Sequence, residues 1–438
     1  MKSARILVHV LGLILLASAS ARAAGPGFAE FDRRAREGDA LRVVFFGASL
    51  TWGANATDQA LSSYRAQTKE MLEARYPKAR FLCYDAAIGG TGSPLGVFRL
   101  DRDVLARKPD LVFLDFSAND DNWNGSPEAF ASYESLIRRI ILEARAPVVP
   151  VLFPFRWEQE PAVKSGNTDH LGGLRQRKVI AAAYHAPVGD AVELITQRVK
   201  AGQATLEQIW DTDGVHPGDF GYRLFAEAAF AAFEEGVKSK ATCVVPEKML
   251  HADAFMTSSR VRLADMFGAD GLPKGWRVGK PGLTAGCHDQ VMSRWLDSEV
   301  IAGNRVKSKD DKGKDIVTPV VAERLVVKVK ARYVLLFGEA TVASGGYHVW
   351  IDGKLHLYTP DGKKEATGLY DIGAMGKRFN ANWNYHQKIA NDLDPAVEHT
   401  IEIEPVFADG QEQELRFESV CVAGGAATVQ RVPAPAAK

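Results

Sequence analysis

Four short stretches carry functional groups that belong together in one reaction. Ser49 follows an apolar run in "VVFFGASLTWG", Gly90 lies in "IGGTGS", Asn119 lies in "SAND", and Asp213 and His216 stand three apart in "DTDGVHPGDFG". A serine hydroxyl is a weak nucleophile until a base takes its proton, and His216 is the candidate base. Asp213 is the candidate partner of the other imidazole nitrogen, fixing the tautomer and stabilising the imidazolium. A tetrahedral intermediate also needs donors aimed at its oxyanion. The N–H groups of Ser49 and Gly90 and the side-chain amide of Asn119 are three candidates, and losing one such donor typically costs about 3–4 kcal/mol. Glycine at 90 lets the backbone approach a substrate closely. The chemistry so assembled is acyl transfer through a serine ester, which needs neither metal nor organic cofactor.

Each group has a plainer reading. A serine ending a strand is commonly a turn residue. Gly89-Gly90 is a turn by itself, Asn119-Asp120 a cap for the following helix, and His216-Pro217 an entry into one. Four such coincidences in this order, each beside an expected element, weigh for the catalytic reading.

The elements that must position these groups can be read from periodicity. Across residues 40–237, apolar runs ("LRVVFFG", "RFLCYDAAI", "PDLVFLDFS", "APVVPVLF", "APVGDA") alternate with helical patterns ("SSYRAQTKEMLEARY", "SPLGVFRLDRDVLARK", "SPEAFASYESLIRRIILEAR", "LGGLRQRKVIAAAYH", "DFGYRLFAEAAFAAFEEGVK"). Such alternation predicts parallel strands joined by right-handed crossovers. Near-continuous apolar strands predict helices on both faces. The fold class is therefore α/β, a doubly wound parallel sheet. In such sheets ligands bind at the carboxyl ends of the strands, which is where Ser49, Gly90 and Asn119 fall. From about 250 to 425 the pattern becomes apolar–polar alternation with turn signals ("RLVVKVKARYVLLFGEATV", "GGYHVWIDGKLHLY", "HTIEIEPVF", "ELRFESVCVAG"), an all-β, sandwich-like domain.

In this order and with this spacing, Ser49, Gly90, Asn119 and the Asp213-x-x-His216 pair resemble the SGNH (GDSL-type) hydrolase family. The likeness covers roughly residues 40–237. It implies a three-layer, flavodoxin-like sheet, with Ser49, Asp213 and His216 as catalytic triad and Ser49, Gly90 and Asn119 as oxyanion hole. Two blocks depart from the usual pattern: "GAS" places Ala48 where the family often has Asp, and "SAND" places Ser117 where it often has Gly. Neither removes a catalytic atom.

Other chemistries fit less well. "GGTGSPLG" with Asp115 further on is similar to a dinucleotide-binding fingerprint, but Gly96 is one residue too far and the glycines follow the second strand. A Gly-x-Ser-x-Gly elbow fails at Thr51, and no His-Glu-x-x-His occurs. "DDKGKD" lacks the spacing of a calcium loop.

Composition bounds the partners. The 438 residues are 46% hydrophobic and 25% charged with no formal net charge, which gives no electrostatic reason to expect nucleic acid or an anionic membrane. Lys2 and Arg5 precede "ILVHVLGLILLA" and an Ala-Arg-Ala step, the pattern of a cleaved export signal over residues 1–23. That apolar run is short for a membrane span. The expected domains are a hydrolase domain at 30–238, a β-sandwich at 250–425 and a disordered tail at 426–438, in a protein exported to the periplasm or beyond. The four cysteines are too scattered for a disulfide framework, and Cys287-His288-Asp289 are sequence neighbours, which rarely form a working site. Oligomeric state is left open.

For the substrate, the resemblance implies an ester and leaves the acyl group open. Trp123, Phe153, Phe155 and Trp157 lie just beyond expected strands, where aromatic faces suit sugar rings, or equally edge packing. The expected function is deacetylation of a carbohydrate. The alternatives are hydrolysis of lipid or short-chain esters, acetyl transfer from the same site, and glycan binding without catalysis. The β-domain reads as a carbohydrate-binding module, through "WIDGKLHLY" and "NANWNYH", or as a structural partner that shapes the cleft. Alternation, which accounts for many of those aromatics as core, favours the second.

Overall fold

A computed structural model describes residues 25–282, 295–309, 311–360, 363–379 and 382–432. The expected export signal and Cys287-His288-Asp289 lie outside them. Strands β1 (Ala40–Gly47), β2 (Arg80–Ala87), β3 (Leu111–Asp115), β4 (Val148–Leu152) and β5 (Gly189–Asp190) form one sheet in the order 2-1-3-4-5. Every neighbouring pair is parallel. β3 and β4 bury all their side chains, as a sheet covered on both faces requires.

Among the described residues, eight helices of at least ten residues flank this sheet: α1 (Phe28–Glu37), α2 (Tyr64–Arg75), α3 (Ser93–Asp103), α4 (Pro127–Arg139), α5 (Arg156–Ser165), α6 (Gly172–Ala183), α7 (Ala191–Lys200) and α8 (Asp219–Ser239). α1 and α2 pack on α8, while α4 packs against α3 and α6. Right-handed crossovers place these groups on opposite faces, because the chain first steps from β1 to β2 and then reverses direction through β3, β4 and β5. α1, α5 and α7 were not among the expected helices. No described helix is long and apolar enough to cross a membrane.

The C-terminal half is antiparallel. Its strands are β6 (Ser258–Arg262), β7 (Trp276–Gly279), β8 (Glu299–Gly303), β9 (Arg305–Lys309), β10 (Asp315–Pro319), β11 (Leu325–Lys330), β12 (Tyr333–Ala340), β13 (Gly346–Ile351), β14 (Lys354–Leu355), β15 (Leu369–Asp371), β16 (Trp383–Ala390), β17 (His399–Val406), β18 (Glu414–Ala423) and β19 (Thr428–Arg431). One sheet runs 14-13-17-11-19 with β15 beside β13, the other 16-12-18-8-7 with β6 beside β18; β9 and β10 pair as a hairpin. Val327, Val349 and Ile401 from the first sheet meet Leu336, Phe417 and Val420 from the second in a shared core. The tail expected from 426 is corrected by β19, which pairs with β11 and gives that sheet its edge strand.

β12 joins the two halves. Its eight residues are all buried. Val334 and Leu336 point into the sandwich, while Tyr333, Leu335 and Phe337 join the α/β core, because successive side chains of a strand face opposite sides. Tyr333 stacks on Phe98 of α3 at 5.9 Å. The buried Arg260–Glu418 pair (2.8 Å), Arg102–Asp297 (3.1 Å) and Lys388–Glu128 (2.7 Å) line the same boundary. Cys83, Cys243 and Cys421 are free thiols.

Candidate active site

β1 delivers Ser49 to the carboxyl edge of the sheet, where the strand order reverses between β1 and β3. Ser49 opens a one-turn helix, Ser49–Trp52, in which the Trp52 N–H donates to the Ala48 carbonyl at 2.9 Å. Position 47 has no room for a side chain: a Cβ there would sit 2.2 Å from Thr51 Oγ1 and 2.4 Å from the Asp115 carbonyl oxygen. Arg65 of α2 donates to the carbonyls of Thr51 and Trp52, at 3.1 and 3.2 Å, and pairs with Asp85 at 3.1 Å. Thr51 Oγ1 donates to Asp115 Oδ2 at 2.9 Å. The turn is thus tied to the ends of β2 and β3.

Asp115 is 2% exposed, and burial pushes its carboxyl up to about 7 against the opposing pull of the Thr51 hydroxyl. The fold therefore favours the protonated acid, a contribution complete below about pH 4 and lost as pH rises through about 7. Asp115→Asn keeps an acceptor for Thr51 and cannot ionise. It should raise stability at pH 8 by on the order of 2–4 kcal/mol, with the gain vanishing near pH 4. Thermal unfolding across that range checks this, and a pH-independent difference would refute it.

Three candidate residues come together in hydrogen-bonding geometry. His216 Nε2 lies 3.0 Å from Ser49 Oγ, and His216 Nδ1 lies 3.4 Å from Asp213 Oδ2. Such bonds are often long in ligand-free sites and tighten with substrate. Asp213 Oδ1 accepts from the N–H groups of Val215 (2.6 Å) and His216 (2.7 Å), and Oδ2 accepts from Asn55 Nδ2 (3.0 Å). Burial raises the Asp213 carboxyl, but the His216 and Val215 N–H groups, the imidazole and Asn55 together hold it below its usual range. Asn55 also donates to the His216 carbonyl at 3.3 Å. Sequence reasoning missed it; its left-handed conformation, φ +69°, marks a turn without naming its partners.

The Gly89–Gly90 loop flanks the serine, and the Asn119 turn is tied to that loop. A Cβ on Gly89 would lie 3.6 Å from Ser49 Cβ. Gly90 has φ +73°, in the region that favours glycine. Asn119 is exposed on the turn after β3. Asp120 beside it is buried and accepts from the Ser93 N–H at 2.9 Å, so it caps α3 and ties the Asn119 turn to the Gly90 turn. The helix that follows Asp120, α4, is capped by Ser126 instead.

The aromatics divide. Phe155 and Trp157 pack with ring centres 4.8 Å apart. Trp157 is 47% exposed and borders Gly214, in the Asp213–His216 loop. Trp123 packs 5.0 Å from His170. Phe153, expected at the edge, is a core residue: it is fully buried and stacked 4.2 Å from Phe225. The β-domain supplies residues that no spacing in the α/β half announces. The Trp383 ring lies 3.7 Å from where a Gly90 Cβ would stand, and Asn384 Nδ2 donates to the Gly89 carbonyl at 3.0 Å. Trp295 meets Trp52 edge-on at 5.8 Å.

No curated relative matches the chain. Two solved structures match nearly all of it: a two-domain esterase (CEX) active on acetylated mannans, with 19% identity, TM-score 0.65 and coverage of 91% of this chain and 95% of that one, and the same esterase co-crystallised with mannopentaose, with 20% identity, TM-score 0.66 and coverage of 92% and 98%. At these identities the likeness shows a shared two-domain fold. Residues 45–224 match the model of the GDSL-like Lipase/Acylhydrolase family. Residues 45–224 of this chain thus form a domain that matches the GDSL-like lipase/acylhydrolase family model, followed by an additional C-terminal all-β domain.

Proposed function

We propose that the chain is an exported serine esterase that removes acetyl groups from a carbohydrate through a covalent acetyl-enzyme. The observation that carries it is the 3.0 Å contact between Ser49 Oγ and His216 Nε2, with Asp213 behind the ring. Ser49 attacks the ester carbonyl as His216 Nε2 takes its proton, with Asp213 holding the imidazolium. The N–H groups of Ser49 and Gly90 and the amide of Asn119 receive the oxyanion. Collapse expels the sugar hydroxyl, which takes its proton from His216. Water, deprotonated by the same imidazole, then attacks the acetyl ester; collapse breaks the bond to Ser49 Oγ, which takes the proton back from His216, and acetic acid leaves.

Support for a sugar comes from Phe155 and Trp157 on the Asp213–His216 side and Trp383 on the Gly90 side, aromatic faces on either flank of Ser49. It comes also from the fold shared with an esterase active on acetylated mannans. Export rests on the N-terminal pattern, and N-terminal sequencing of secreted protein should find a chain starting near Ala24. The test of substrate is acetate release from acetylated manno-oligosaccharides beside hydrolysis of p-nitrophenyl palmitate. A higher kcat/KM on the oligosaccharide is expected; the reverse ranking would sink the carbohydrate reading. Trp157→Ala should raise KM for the oligosaccharide severalfold and leave p-nitrophenyl acetate unaffected, as expected for lost binding that does not change between ground and transition state.

A further inference from the structure

We infer that Asn384 of the β-domain is a positioning residue for the oxyanion site: its hydrogen bond to the Gly89 carbonyl holds the Gly89–Gly90 peptide with the Gly90 N–H toward the reacting ester. This rests on the esterase reading above and adds to it a role for the second domain in the chemistry itself.

The Gly90 N–H belongs to the same peptide unit as the Gly89 carbonyl. No peptide among the described residues is cis, so carbonyl and N–H point in opposite directions. Whatever grips the carbonyl therefore aims the N–H. In turns with Gly-Gly at the centre, the central peptide can be flipped, because types I and II differ in its orientation and glycine tolerates both. Gly90, at φ +73°, has the type II sign. Asn384 Nδ2, 3.0 Å from the Gly89 carbonyl, holds that orientation from the β-domain side. Gly89 also faces Ser49, which places this peptide beside the nucleophile.

Asn384 is itself firmly set. It is fully buried, and its amide can be assigned without ambiguity. A carbonyl only accepts, so Nδ2 faces Gly89 and Oδ1 faces His386 Nδ1, 3.3 Å away, which must then donate. Burial, with Arg99 nearby, pushes the His386 ring down to about 4. At neutral pH the ring therefore carries one proton, placed on Nδ1 by its acceptor. A donor on the Gly89 carbonyl further polarises the peptide and strengthens its N–H. His386, Asn384 and the Gly89–Gly90 peptide thus form one chain of donors ending at the oxyanion.

An oxyanion donor serves every ester, whereas a sugar contact serves only the glycan. The test compares wild type, Asn384→Asp, Asn384→Ala, Trp383→Ala and Ser49→Ala on p-nitrophenyl acetate and on an acetylated oligosaccharide, with kcat expressed per active site titrated by the p-nitrophenol burst. Asn384→Asp is close to isosteric and, once ionised, cannot donate. Both Asn384 variants should lose roughly 10–100-fold in kcat on both substrates with KM little changed. Their affinity for a small boronic acid, which forms a tetrahedral adduct on serine, should weaken in parallel. Trp383→Ala should raise KM for the oligosaccharide severalfold, in contrast to the kcat loss of the Asn384 variants. Loss confined to the oligosaccharide in the Asn384 variants would overturn the inference, and so would fewer titratable sites with unchanged kcat per site. Equal turnover by wild type and Ser49→Ala would instead overturn the esterase reading on which it stands.

Discussion

Ser49→Ala should lower kcat on p-nitrophenyl acetate by roughly ten-thousandfold to a millionfold, the range seen when a triad nucleophile is removed. The substitution deletes one oxygen whose hydrogen bond is with His216 Nε2. The turn that carries it is held by backbone and neighbouring groups: the Trp52 N–H on the Ala48 carbonyl, Arg65 on the carbonyls of Thr51 and Trp52, and Thr51 on Asp115. Stability should therefore change little, and the loss will report chemistry. The N–H at position 49 survives in alanine, so the proposed oxyanion donors remain and some acceleration over water persists. Adding His216→Ala should cost little more, because the base has no proton left to take; triad losses are far from additive. Steady-state kinetics with rapid-quench capture of the acetylated protein decides it. A variant within tenfold of wild type would remove Ser49 from the mechanism.

The four candidate blocks were legible because each lies within a few residues of an apolar run, and a parallel sheet gathers the ends of its strands at one edge whatever their separation in sequence. The expected place of Ser49, Gly90 and Asn119 at that edge follows from that, whereas the 2-1-3-4-5 strand order does not follow from alternation and was implied only through the family resemblance. Contacts from outside the sheet were not legible. Asn384 is 295 residues from Gly89, within an alternating strand that reads as sandwich, and alternation does not say whether an outward residue meets water or another domain. β12 shows the same limit: Tyr333, Leu335 and Phe337 read as one face of a strand, and what covers that face is α3 with its neighbours. Phe153 failed for a different reason. Position after a strand says that a residue is near the edge, but its ring turns inward between Tyr64 and Phe225. β19 was too short, beside an Ala- and Pro-rich end, to show a period.

Asp213→Asn should be the second most damaging change, lowering kcat by roughly a thousandfold to ten-thousandfold with KM little altered. The reason is the donor inventory around the carboxylate. Oδ1 receives two backbone N–H groups and Oδ2 receives Asn55 Nδ2 while facing His216 Nδ1. Asparagine offers one oxygen. If it keeps the backbone donors, its NH₂ faces His216 and Asn55, and the imidazole must turn Nδ1 into an acceptor. The ring proton then moves to Nε2, which donates to Ser49 and cannot take its proton. If the amide flips, the two backbone donors lose their acceptor and the loop that carries His216 loosens. Either arrangement leaves the serine without its base. Asn55→Ala is the control: it removes one of several donors to a carboxylate that keeps its charge, and should cost only severalfold. The pH profile separates the roles further. Because its neighbours hold Asp213 ionised below the usual carboxylate range, the acid limb of the wild-type profile should carry no step from this carboxylate in the ordinary carboxylate range. A second, carboxylate-like step within that limb, or an Asp213→Asn variant that keeps more than a tenth of wild-type kcat, would show that the aspartate does not set the tautomer.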